Sequence, residues 1–244
     1  MSPRQDSAPD RLTSYFRSDE KIRSRSVSRI VLSGMVDVPT PSARLLADWD
    51  REISSRMILE AGDVEPLPLA RARVRWPDYG LCVQAADEWT SAQGLPGILA
   101  ASDVALMACR GARYHHDGLQ YGSAAFCNLF LSEDVGLDVH FPATGVRIPL
   151  RRGTVLIFDT CQPHGVIRRD RDSFNEADFP SDQDNVQIFL TWELPIGNPE
   201  VARSLGIEFD IIPPTALLHD EEQILLDDAP AMVCPASGRW HRSL

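Results

Sequence analysis

The chain has 244 residues, 43% hydrophobic and 24% charged, which suits one globular domain of ordinary size around its own core. Thirty-five acidic against 24 basic residues give a formal net charge of -11, which opposes binding to a phosphate backbone and excludes nucleic acid as an expected partner. No apolar stretch reaches the roughly 18 residues that cross a bilayer, and residues 1–29 lack the apolar run of a secretory signal, so the expectation is a cytoplasmic protein with no membrane partner.

Five cysteines, Cys82, Cys109, Cys127, Cys161 and Cys234, form no C-x-x-C pair, which removes zinc-finger and thioredoxin-like readings and gives no disulfide scaffold. Lys21 is the only lysine, so Schiff-base chemistry and P-loop phosphate transfer are excluded.

Residues 1–28 are rich in Ser, Arg and Asp and are expected to form a flexible polar tail. Residues 29–244 are then expected to form a single domain, with helical and β support at 29–104, a core at 105–194 and a C-terminal extension at 195–244. Thr40-Pro41 supplies an N-cap and a first-turn proline, and Leu45, Leu46, Trp49, Ile53 and Met57 recur at helical spacing, which predicts an amphipathic helix over 41–57. The alternation of Arg71, Arg73 and Arg75 with Ala72, Val74 and Trp76 predicts an extended edge strand over 70–76, and a second helix is expected over 84–93. From 103 onward about six β-like runs fall within some 90 residues, indicating an antiparallel sandwich or barrel. Asn198-Pro199-Glu200 caps a short helix that Gly206 ends, and 207–244 gives no clear pattern.

Of six histidines, His115 stands two residues before Asp117, so on a strand both face one side, with Arg113 one step earlier on that face. His164 follows after the apolar run TVLIF and a turn containing Pro163. Two histidines and one carboxylate, occupying one face of a metal, are the ligand set of non-haem Fe(II) oxygenases. Phe126, Asn128 and Phe130 share another face, where a buried Asn amide needs a partner.

In order as well as in residues, these segments resemble the Fe(II)/2-oxoglutarate-dependent dioxygenases, particularly the prolyl-4-hydroxylase-like branch. ACRGARYHHDG looks like the family's first metal strand, NLFLSED and GLDVHFP like the two that follow, IPLRRGTVLIFDTCQPHGV like the approach to the distal histidine, and FLTWEL like the closing strand. The resemblance spans roughly 105–194. It implies a mainly β fold with supporting helices, a double-stranded β-helix of the jelly-roll or cupin-like kind. It also implies Fe(II) on His115, Asp117 and His164, with 2-oxoglutarate as co-substrate for hydroxylation of a small molecule or side chain.

One departure stands out. The family anchors the far carboxylate of 2-oxoglutarate with a basic residue on the closing strand, and Asn185 to Trp192 contains none. Arg168 is the substitute nominated here, because it shares parity with His164 and lies four residues, roughly 13 Å, further along. Arg113 and Arg147 follow it, and Asn128 is a further co-substrate contact. Two alternatives stay open: a catalytically silent binding domain, and an iron oxygenase with another co-substrate. A cupin-like metalloenzyme without an oxo acid fits less well, because the adjacent His115 and His116 would face opposite sides. The arginines at 71, 73, 75, 147 and 168 would allow an anionic substrate. Oligomeric state is not legible.

Overall fold

The computed structural model describes residues 12–18, 21–56, 59–181, 184–212, 223–226 and 229–242. In chain order these form β1 (Leu12–Ser18), β2 (Lys21–Ser26), β3 (Val31–Met35), α1 (Ala43–Arg56), β4 (Val64–Leu67), α2 (Leu69–Val74) and α3 (Tyr79–Ala92). Next come β5 (Asp103–Cys109), β6 (Ala112–His115), the short α4 (Gly118–Tyr121), β7 (Ala124–Phe130), β8 (Leu137–Phe141), β9 (Val146–Pro149), β10 (Thr154–Asp159), β11 (His164–Arg168) and β12 (Gln187–Pro195). The last elements are α5 (Pro199–Leu205), β13 (Gln223–Leu226), β14 (Ala229–Val233) and β15 (Trp240–Arg242).

The eight strands β5 to β12 divide between two antiparallel sheets. One runs β3-β10-β7-β12-β5-β4 and the other β6-β11-β8-β9. In each, strands from the first half of this set (β5 to β8) alternate with strands from the second (β9 to β12), so the chain winds up as a double-stranded β-helix. The segment ACRGARYH is broken into two strands at Gly111, whose φ of +67° suits a residue without a side chain.

Both faces of the larger sheet are buried. Along β7, Ala125, Cys127 and Leu129 join the core under the helices, while Phe126 and Phe130 join the core between the sheets. Leu45, Trp49 and Ile53 of α1 fill the outer core at the spacing read from sequence, and Trp49 meets Trp76 edge-on at 5.3 Å. Each such buried side chain contributes roughly 1.5–3 kcal/mol of transfer free energy. The helix starts two residues later than expected because the Ser42 hydroxyl, rather than Thr40, accepts from the Leu45 amide.

Two expectations are corrected. Residues 70–76 are not extended: α2 begins directly after Pro68, and its arginines are drawn to acidic neighbours, Arg71 to Glu52 at 3.5 Å and Arg75 to Asp48 at 3.0 Å. A period of two in six residues is overridden once the side chains find partners on α1. The polar tail is likewise structured from residue 12: β1 and β2 form a hairpin, with Leu12, Tyr15 and Phe16 buried. β1 also pairs with β13, in a sheet ordered β15-β14-β13-β1-β2.

Candidate metal centre

His115 ends β6, Asp117 follows at the turn into α4, and His164 opens β11 directly opposite His115 in the ladder. The strand therefore stops before Asp117, and the carboxylate is brought back by the turn: the Asp117 amide donates to the Thr160 carbonyl at 2.8 Å. Asp117 Oδ1 lies 3.5 Å from His115 Nε2, and its Oδ2 lies 3.5 Å from His164 Nε2. One ligand atom from each residue falls within 4.8 Å of the others.

Backbone carbonyls orient both rings. Nδ1 of His115 lies 2.7 Å from the Arg113 carbonyl and Nδ1 of His164 lies 3.0 Å from that of Gln162. With the Nδ1 proton donated to these carbonyls, Nε2 is left as a free lone pair aimed at the cluster, as in metal-ligating histidines generally. Burial, reinforced by the neighbouring His115, holds His164 well below the ordinary histidine range, so its imidazole is neutral. Burial also pushes the Asp117 carboxyl upward, an anion's penalty that a divalent cation would offset. The donor set thus fits a metal: two imidazoles and a carboxylate converge on one point and leave an open side.

The turn before His164 is held by the N-terminal hairpin. Arg25 and Asp159 are fully buried and paired, NH1 to Oδ2 at 2.7 Å and NH2 to Oδ1 at 2.8 Å. The same carboxylate accepts from the Ser28 and Cys161 amides, at 2.7 and 2.9 Å. Arg25 donates further to the Gly122 carbonyl at the end of α4, so one guanidinium ties the approach to His164 to the element beside Asp117. Gly118 lets α4 lie against this turn, since a Cβ there would stand 2.4 Å from Cys161 Sγ. Sequence reading missed Arg25 altogether; its only signal was the apolar cluster Leu12, Tyr15 and Phe16 in a segment otherwise polar.

Between the sheets, inward-facing residues beyond the metal cluster keep a residual exposure: Thr191 9%, Asn128 8%, Val166 7% and Phe189 7%. Their outward neighbours Cys127, Leu129 and Leu190 are at 0%. The inner face of these strands is therefore packed less tightly than the outer one. Asn128 of β7 and Thr191 of β12 are ladder partners, and among the described residues neither Asn128 Oδ1 nor Thr191 Oγ1 has a hydrogen-bond partner. Phe130 and Phe189 stack nearby at 4.9 Å, and Phe158 packs edge-on against His164 at 4.7 Å.

The arginines nominated from sequence are engaged elsewhere. Arg113 reaches Glu176 at 2.6 Å and Asp63 at 3.3 Å and lies over the Phe174 ring. Arg147 lies near Asp138 and Asp172. Arg168 pairs with Leu137 in the ladder, which puts it on the inner side of β11, but its side chain is 34% exposed and its Nε is 3.8 Å from Asp170. Arg73 lies over Tyr79. His116 stacks on Trp240 of the C-terminal strands, while the Tyr114 hydroxyl meets His140 Nδ1 at 2.5 Å.

Fold and cluster together define a double-stranded β-helix with a candidate two-histidine, one-carboxylate metal site. No family model and no curated protein matches the chain. Among solved structures it is similar to the viral collagen prolyl hydroxylase vCPH from Paramecium Bursaria Chlorella virus-1 in complex with 2OG, at 9% identity and TM-score 0.39, over 68% of this chain and 94% of that one. It is also similar to the non-heme alpha ketoglutarate dependent epimerase SnoN from nogalamycin biosynthesis, at 13% identity and TM-score 0.37, over 68% and 78%.

Proposed function

We propose that the protein is a non-haem Fe(II) oxygenase that binds a 2-oxo acid co-substrate and oxidises a small molecule or side chain, 2-oxoglutarate being the oxo acid that the family resemblance implies. The observation that carries this reading is the convergence of His115, Asp117 and His164 within 4.8 Å, with both Nδ1 atoms held by backbone carbonyls. Iron bound there would supply the activation of dioxygen.

The chain's own residues would do the rest. His115, Asp117 and His164 hold the metal from one side; Phe158 and Phe141 shield His164 from water. The space between the sheets, with Asn128 on its wall, receives the co-substrate away from solvent. For 2-oxoglutarate, Arg168 is the nearest candidate charge on the inner side of β11, and its guanidinium would have to leave Asp170 and turn inward. An anionic substrate is not favoured by the arginine pattern, since the guanidiniums at 71, 75, 147 and 168 each face a carboxylate.

Anaerobic titration with Fe(II) or Mn(II) tests the reading. Wild type should saturate near one metal per chain and Asp117→Ala should fail to bind; equal stoichiometry in both would remove the metal assignment.

A further inference from the structure

We propose that the far end of the space between the sheets is built for an uncharged polar group, so that the co-substrate is a 2-oxo acid whose distal end is neutral and is gripped by Asn128 and Thr191. This rests on the oxygenase reading and departs from it at one point, the terminal carboxylate of 2-oxoglutarate.

The two side chains are ladder partners on adjacent strands, face the space between the sheets and are more than nine-tenths buried. Their oxygens are unpartnered among the described residues. Buried polar atoms left this way in a folded chain call for a ligand or ordered water. An amide and a hydroxyl each offer a donor and an acceptor, matching a carbonyl, hydroxyl or amide.

Their depth suits the tail of an oxo acid. Phe158, in contact with His164, pairs with Phe126, and Leu156 pairs with Asn128 two residues further along, about 7 Å deeper. Chelation of a metal by the oxo acid end would place the tail near this level. Around the pair the wall is apolar, with Phe130, Phe189, Leu156 and Val166. A carboxylate brought here would lie among apolar side chains, with Arg168 and Arg113 both turned to acidic groups. Such an anion is strongly disfavoured.

Calorimetry on the full chain loaded with Mn(II) decides it, using 2-oxoglutarate, its 5-methyl ester and 2-oxohexanoate as probes. The ester should bind about tenfold or more tightly than 2-oxoglutarate, a difference of about 1.4 kcal/mol. Asn128→Leu and Thr191→Val, which keep side-chain volume, should lower ester binding to the level of 2-oxohexanoate while thermal unfolding reports an intact fold. Unchanged probe preference in both variants overturns the role of the pair. Tighter binding of 2-oxoglutarate than of the ester overturns the inference and leaves the oxygenase reading standing, with its loss in Arg168→Ala returning the anchor to that residue. Binding of none of the three probes by metal-loaded wild type overturns the co-substrate reading as well, and the metal titration tells that failure from a failure to bind metal.

Discussion

Arg25 and Arg75 each meet a carboxylate at hydrogen-bond distance, Asp159 at 2.7 Å and Asp48 at 3.0 Å, yet they work in opposite surroundings. The first pair is sealed, with both side chains at 0% exposure; in the second the arginine is 50% exposed. Water competes for the outer pair and salt screens it, so it orients α2 on α1 without deciding whether either forms. No water reaches the inner pair. Arg25 is held charged there, despite the cost of burial, by Asp159 and the nearby Cys161. The same chemistry thus decorates one region and organises the other: buried, it joins the N-terminal hairpin, the turn before His164 and the end of α4 into one unit around the candidate metal site.

Breaking the buried pair should have the largest effect. Arg25→Ala leaves the Asp159 carboxylate uncompensated and should cost about 3–5 kcal/mol in denaturant unfolding. Metal affinity should fall with it, because the turn carrying His164 loses its tie to α4. Replacing both partners, Arg25→Met with Asp159→Leu, should recover much of the stability. The Ser28 and Cys161 amides would still lack their acceptor, so metal affinity should stay low; full recovery of both would show that the pair does not position the site.

Metal should itself stabilise the fold. With free Mn(II) about a hundredfold above its Kd, wild type should gain about 2.7 kcal/mol, and a chelator should remove it. Asp117→Ala should show no chelator effect; an equal shift in both proteins would mean that the ion binds elsewhere.

Gly118→Ala places a Cβ against Cys161 and should cost about 1–3 kcal/mol through overpacking at the turn. A variant as stable as wild type would show that α4 can shift away from Cys161 without loss. Smallest of all, Arg71→Ala, in the exposed pair with Glu52, should cost at most about 1 kcal/mol, less at high salt, with an unchanged metal titration. A larger loss there would erase the contrast between the two regions.

Much of the barrel was legible because its signals are local. Strand alternation placed Phe126, Asn128 and Phe130 on one face, and that face does look between the sheets. The order His115, Asp117, His164 needed only a short turn and one antiparallel pairing to become a cluster. Thr191 was readable in the same way, by parity with Phe189, but nothing in its own neighbourhood said that its ladder partner would be another unsatisfied polar residue. Parity alone misled for Arg168, which sits on the inner side of β11 and yet keeps its side chain near Asp170.

By itself the amino-acid sequence determined the succession of strands, the helical stripe of Leu45, Trp49 and Ile53, and the three candidate metal ligands, because periodicity and short turns act over a few residues. Tertiary structure alone decided that a polar N-terminal segment becomes a hairpin, that an alternating arginine stretch becomes α2, and that Arg25 lies buried 134 positions from Asp159. A charge looks like surface until its partner is known, and a partner that far along the chain is supplied only by the fold.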